Sequence, residues 1–225
     1  MHSIHWLFFD VGSTLVDETE AYNHRICDAI AGTDITFAQF MEKRIEFAKQ
    51  NRKGDLEAIK FFGLPLTPWH TEDEVLYPDA SRVLRYLREK GYHIGVIANQ
   101  SPGTVSRLDH WGLLQYIDVV VASAELGIAK PDERIFRKAL ELANCLPEHA
   151  VMIGDRLDND IYPAKQLGMK AVWVKQGFAI YQHLDADHPA PDYTVNGLSE
   201  LLEIFSSPNR PSPHSITQPD RHEAG

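Results

Sequence analysis

Between Ile4 and Phe9 the chain runs through a short, mostly apolar stretch that stops at Asp10 and passes into Gly12, Ser13 and Thr14. An apolar run of this length, bounded by polar turn residues, predicts a buried strand that delivers a polar loop at its carboxyl end. From Glu18 to about Trp69 the pattern changes. HRICDAIA, FAQFMEKRIEFAKQ and DLEAIKFF carry apolar residues at three-to-four spacing, which predicts a helical insertion of three or four helices. PLTP near Leu64 to Pro68 and YPDA near Tyr77 to Ala80 punctuate the return. Strand and helix then alternate. The pattern predicts helices at Ala80–Glu89, Gly103–Trp111, Asp132–Ala143 and Asn159–Leu167. Strands are predicted at YHIGVIAN, around Ile117–Val121, and at AVMIGD and KAVWVK, with Asp192–Val195 and Leu198–Ile204 closing the series. Helical connections of this length suit right-handed parallel crossovers, so an α/β fold with helices on both faces of one parallel sheet is expected.

The chain has 225 residues, 44% of them apolar, enough for a sizeable core and unlike a disordered or collagen-like polymer. The 22 basic and 32 acidic side chains give a formal charge of −10. That balance argues against a nucleic-acid partner or an anionic membrane surface, which concentrated Lys and Arg would favour. The start MHSIHWLFFD lacks a basic leader with a small-residue cleavage site, and no window approaches the ~18 apolar residues of a membrane span. Cys27 and Cys145 are far apart and form neither a disulfide scaffold nor a CxxC hook, so a reducing, cytoplasmic setting is expected. From Ser206 the composition turns to Pro, Ser, His and charge, and residues 206–225 read as a disordered tail.

In an open parallel sheet, ligands collect at the carboxyl ends of the strands, near the point where strand order reverses. Three polar loops fall there: Asp10–Thr14, Asn99–Ser101 and Asp155–Asp160. Bringing Asp10, Asp155 and Asp160 together is unfavourable unless a cation compensates, and magnesium, a hard ion that takes oxygen ligands, suits such a set. Lys130, held before Pro131, is placed to project an ammonium toward the carboxylates and a phosphate. Taken singly, Asp10 and Asp155 also read as ordinary turn or cap residues at strand ends.

FFDVGSTL, VIANQ, AKP and IGDRLDND stand in the order and approximate spacing of the four motifs of the haloacid dehalogenase (HAD) superfamily of hydrolases, which the chain thereby resembles. The resemblance implies a Rossmann-like core at 1–16 and 77–205 and a small all-helical cap at 17–76. It further implies that Asp10 is the nucleophile that becomes an aspartyl-phosphate and that Lys130 orients Asp10 and the phosphoryl group. Asp10, the Gly12 carbonyl, Asp155 and Asp160 would hold Mg2+, directly or through water. Asn99, Ser101 and Thr14 are the candidate substrate contacts, and a small-molecule phosphoester is the expected substrate of a monomer or homodimer. A cap excludes water and supplies specificity; among its polar residues, His24, Arg44, Asn51 and Arg52 are candidates to reach a substrate, with solvent exposure as the alternative.

Two positions depart from the family pattern. The phosphatases carry a second aspartate two residues after the nucleophile, the acid/base of the reaction; here it is Gly12. The second motif usually offers a Ser or Thr hydroxyl, whereas this chain has Ala98 and then Asn99. General acid–base catalysis is typically worth 10²–10⁴-fold, so reduced turnover is expected, with activated aryl phosphates favoured over alkyl phosphates. A weakly catalytic or non-catalytic binding protein on the same fold is the alternative. A dehalogenase would carry an aromatic residue at position 12, and a phosphonate-cleaving enzyme a Schiff-base lysine in the cap, where Lys43, Lys49, Lys53 and Lys60 stand outside any recognised motif. Phe37, Phe40, Phe47, Phe61 and Phe62 are expected in the insertion's core rather than on a dimer face. YQHLDADHP is expected to be a surface loop.

Overall fold

A computed structural model describes residues 4–206. Apart from Ser206, the tail expected at 206–225 lies outside the described residues. The chain opens with strand β1 (Trp6–Phe9), the short β2 (Val16–Asp17) and the helices α1 (Thr19–Ile30), α2 (Phe37–Lys49) and α3 (Gly54–Phe62). It returns through β3 (Val75–Leu76) into α4 (Ala80–Glu89), β4 (His93–Ala98), α5 (Thr104–His110), β5 (Val119–Ala122) and α6 (Ser123–Leu126). There follow α7 (Glu133–Leu142), β6 (Ala150–Gly154), α8 (Tyr162–Gln166), β7 (Lys170–Val174), β8 (Tyr193–Val195) and α9 (Leu201–Ile204). None of the described helices is long and apolar enough to cross a membrane.

Six parallel strands form one sheet in the order β5-β4-β1-β6-β7-β8. Alternation along β1 builds the layers. Leu7 and Phe9 face a core with Ile94 and Val96 of β4 and Val83, Leu84 and Leu87 of α4. Phe8 faces the opposite core with Met152 of β6 and Ile135, Phe136 and Ala139 of α7. Both helices bury apolar residues three and four apart, each side chain contributing about 1.5–3 kcal/mol. Strand order reverses at β1, whose Phe9 is in register with Val96 on one side and Ile153 on the other. The loops after β1, β4 and β6 therefore open into one crevice.

The helical cap region packs its own small core of Ile26, Phe40, Ala58 and Ile59. Thr36 and Gln39 form a reciprocal capping box at the start of α2, and Gly63 takes the left-handed conformation that ends α3. Phe40 is fully buried and Phe47 and Phe62 pack against this core, but Phe37 and Phe61 are exposed, 37% and 57%. The Lys43 ammonium covers the Phe61 ring at 4.4 Å.

Three local departures have physical causes. The strand expected at Ile117–Val121 starts at Val119, because Leu114–Tyr116 forms a 3₁₀ turn and the Asp118 carboxylate accepts from Ile94 N at 3.0 Å. The helix expected from Asn159 to Leu167 is a π-helical turn at Leu157–Ile161 followed by α8, since Pro163 has no N–H to carry a regular ladder back. The two-residue pair β2–β3, Val16 against Leu76, is too short to leave an alternation pattern.

Candidate active site

Asp10 leaves the end of β1 with its N–H bonded to Ile153 O of β6 at 2.9 Å, which fixes it between the two neighbouring strands. Lys130 precedes α7, whose N-terminus is capped by Asp132 through Arg134 N at 2.9 Å. The Asn99 amide fastens the lysine's backbone, donating to Lys130 O at 2.9 Å and accepting from Lys130 N at 2.7 Å. Lys130 Nζ then lies 2.6 Å from Asp10 Oδ1 and 2.6 Å from Asp160 Oδ1. Asp160 Oδ2 accepts from Arg156 N at 3.0 Å, and its side chain rests on Gly154, where an added Cβ would stand 2.6 Å from Asp160 Cβ. Glycine at 154 is thus the condition for Asp160 to reach Lys130. Asp155 turns its backbone carbonyl to Trp173 Nε1, 2.7 Å away, and its carboxylate toward Asp10 and Asp160.

Ligand oxygens of Asp10, Asp155 and Asp160 lie within 4.8 Å of one another, and all three residues are buried. Burial pushes the Asp155 carboxyl well above its ordinary range, reinforced by Asp160 and Asp10. Burial also raises Asp160, to about 6, against the pull of Lys130. Burial works against the charge on Lys130, but Asp10 and Asp160 outweigh it and hold the ammonium above its usual value. Three carboxylates around one ammonium leave a formal charge of −2. An all-oxygen, buried, under-compensated set of this kind fits a divalent hard cation.

Most of the remaining candidate residues fall elsewhere. Thr14 is fully buried and does not line the crevice; its hydroxyl has no hydrogen-bond partner among the described residues. Ser101 is exposed and borders an outer cavity under the cap, with Tyr22, Arg25, Lys53 and Trp69. Arg44, offered by the sequence as a substrate contact, is 3% exposed and clamped between the Tyr22 and Phe178 rings at 4.1 and 3.3 Å. It joins cap to core. Asn51 does likewise, donating to His183 O at 2.7 Å. His24 stacks on His70 with ring centroids 3.5 Å apart and its Nδ1 lies 2.9 Å from Asp73 Oδ2, while His70 Nε2 lies 2.8 Å from Asp28 Oδ2. Parallel rings in that arrangement cannot aim both lone pairs at one ion. Arg52 ion-pairs with Glu57. Lys53 has no ion-pair partner among the described residues and borders both the crevice and the outer cavity.

Two residues were not singled out by sequence pattern. Arg156 borders the crevice, paired to Asp158. Glu18 is 8% exposed and borders the same crevice, although it enters at the start of a cap helix. Burial raises its carboxyl to about 8, helped by Asp10 and Glu74. The available signal was the pairing of an absent side chain at Gly12 with an acid a few residues on.

The family description "haloacid dehalogenase-like hydrolase" matches residues 4–168. The glyceraldehyde 3-phosphate phosphatase of Pyrococcus furiosus is 32% identical over an alignment of 235 positions, spanning 93% of this chain and 96% of its own. The phosphoserine phosphatase of Thermus thermophilus is 35% identical over 128 positions, spanning 56% and 50%. Among solved structures, a HAD phosphatase from Thermococcus onnurineus matches with a TM-score of 0.64 at 25% identity, covering 92% of this chain and all of the other. A 2-haloacid dehalogenase from Pseudomonas syringae matches at 0.58 and 23% identity, over 90% and 98%, a likeness of fold.

Proposed function

Because the chain belongs to the haloacid dehalogenase-like hydrolases, we propose that it is a magnesium-dependent phosphatase of a small phosphorylated metabolite, working through an aspartyl-phosphate at Asp10. The observation that carries this reading is the meeting of Asp10, Lys130, Asp155 and Asp160 at one crevice of the sheet. Lys130 holds Asp10 Oδ1 and leaves Oδ2 as the nucleophile. Asp160, with both oxygens engaged by Lys130 and Arg156 N, serves to position the lysine. Asp10, Asp155, Asp160 and the Gly12 carbonyl are the residues that would hold Mg2+, directly or through water, and the ion would supply charge neutralisation on the phosphoryl oxygens. Residues 17–76 act as the cap over a core of 1–16 and 77–205, and shield the aspartyl-phosphate from bulk water. The named phosphatases among the relatives act on small phosphate monoesters, which supports the substrate class. Gly12 itself has no proton to give, so the leaving oxygen must be protonated by another group.

Hydrolysis of an aryl phosphate by wild-type protein with magnesium, wild-type protein with chelator, and Asp10→Asn with magnesium tests the reading. Activity in the first preparation alone is expected. Equal rates in all three would overturn it.

A further inference from the structure

Position 12 is empty of side chain, but the space a side chain would fill is taken. A Cβ built on Gly12 would lie 2.6 Å from Glu18 Cδ and 2.7 Å from Oε2, inside the van der Waals envelope of that carboxyl group. Glu18 therefore brings a carboxyl, from the start of α1, to the place where an acidic side chain on residue 12 would project. Ser13 Oγ donates to Glu18 Oε2 at 3.1 Å and sets its orientation. No ion pair among the described residues neutralises Glu18, so its burial is not that of a structural salt bridge.

Glu18 also stands between two cavities. The crevice holding Asp10 and Lys130 continues into a cavity of about 190 Å³ under the cap, and Glu18 is the carboxyl that borders both. In-line attack by Asp10 sends the leaving oxygen away from the nucleophile, toward the space where the rest of the substrate sits. A carboxyl at the junction of the two spaces meets that oxygen.

We infer that Glu18 is the general acid and base of this enzyme, replacing from the cap the carboxyl that Gly12 lacks; the inference rests on the phosphatase reading above. In the first step Asp10 Oδ2 bonds to phosphorus and the P–O ester bond breaks. The Glu18 O–H proton passes to the departing oxygen and the alcohol leaves. In the second step water bonds to phosphorus through its oxygen and gives a proton to the Glu18 carboxylate. The bond from Asp10 to phosphorus breaks, releasing inorganic phosphate and restoring both groups. Glycine at 12 follows as a requirement, because any side chain there would displace Glu18.

The test compares wild type, Glu18→Gln, Glu18→Ala and the double variant Gly12→Asp/Glu18→Ala in magnesium, on an alkyl phosphate and on p-nitrophenyl phosphate. Glu18→Gln should lower kcat for the alkyl ester by about 10²–10⁴-fold with KM little changed. On the aryl ester, which needs little protonation, it should release one equivalent of nitrophenolate per enzyme in a burst and then slow, with phosphate held on Asp10. The double variant should regain at least tenfold over Glu18→Ala on the alkyl ester. A Glu18→Gln enzyme with wild-type turnover overturns the assignment while leaving the phosphatase reading intact. So does one that loses both substrates equally without a burst, at unchanged melting temperature, if the double variant also fails to recover. A wild-type enzyme with no magnesium-dependent turnover and no phosphorylated Asp10 overturns both.

Discussion

Replacing Lys130 by Met keeps the stem and removes the ammonium. The lysine side chain is 1% exposed and stands 2.6 Å from both Asp10 and Asp160, whose side chains are 12% and 1% exposed. The variant retains three mutually close carboxylates with no positive group between them. Removing one partner from a buried charge cluster typically costs 3–5 kcal/mol, because the remaining charges stay buried and unpaired. For a chain of this length about 2–4 °C of melting temperature is lost per kcal/mol, which gives a drop of about 6–20 °C in chelator at pH 8. The deficit has a definite pH dependence. Burial already raises Asp160 to about 6, and Lys130 opposes that rise. Without Lys130 the carboxyl rises further, so at pH 5 a proton takes the place of the missing ammonium and the deficit shrinks. Scanning calorimetry of both proteins at pH 5 and pH 8 in chelator measures it. Equal melting temperatures at pH 8, or a deficit larger at pH 5 than at pH 8, would refute the reasoning.

Glu18→Gln should stabilise the chelated protein at high pH relative to wild type. Glu18 rises from 4.5 to about 8 on folding through burial, Asp10 and Glu74, so its stability contribution is complete below pH 4.5 and is lost as pH rises toward 8. At 1.36 kcal/mol per pH unit the gain at pH 9 has a limit of roughly 5 kcal/mol, and urea unfolding at pH 5 and pH 9 reads it. Magnesium should raise the melting temperature of wild type, and Asp155→Asn should abolish that rise, as a thermal shift titration will report. Lys53→Ala should raise KM several-fold for phosphate esters carrying a second anionic group and leave KM for uncharged esters unchanged, because Lys53 borders both spaces without an ion-pair partner among the described residues; steady-state kinetics on a matched pair of esters decides it.

The sheet was legible because its central strands are buried on both faces and therefore read as unbroken apolar runs, as in Leu7–Phe9 and Ala150–Gly154. The loops at their ends were legible because acids directly after such runs are conspicuous. Side-chain reach was not. Arg44 looks like any polar residue on an amphipathic helix, yet two aromatic rings from distant segments, Tyr22 and Phe178, enclose it. Asn99 reads as a phosphate donor but spends its amide on the Lys130 backbone. Thr14 follows the nucleophile loop closely in sequence and turns into the core instead. Glu18 was hidden for the same reason: Gly12 reads as a missing group until the backbone path shows a carboxyl arriving from six residues further along.

The central claim is that Asp10 accepts the phosphoryl group at the crevice it shares with Lys130, Asp155 and Asp160. Acid-quenching the enzyme during turnover of a phosphate ester, followed by peptide mass spectrometry, reads the claim directly. One phosphoryl group is expected on the peptide carrying Asp10, dependent on magnesium and absent from Asp10→Asn. Turnover with no phosphoryl group at Asp10, or the same phosphorylated peptide from Asp10→Asn, would contradict it.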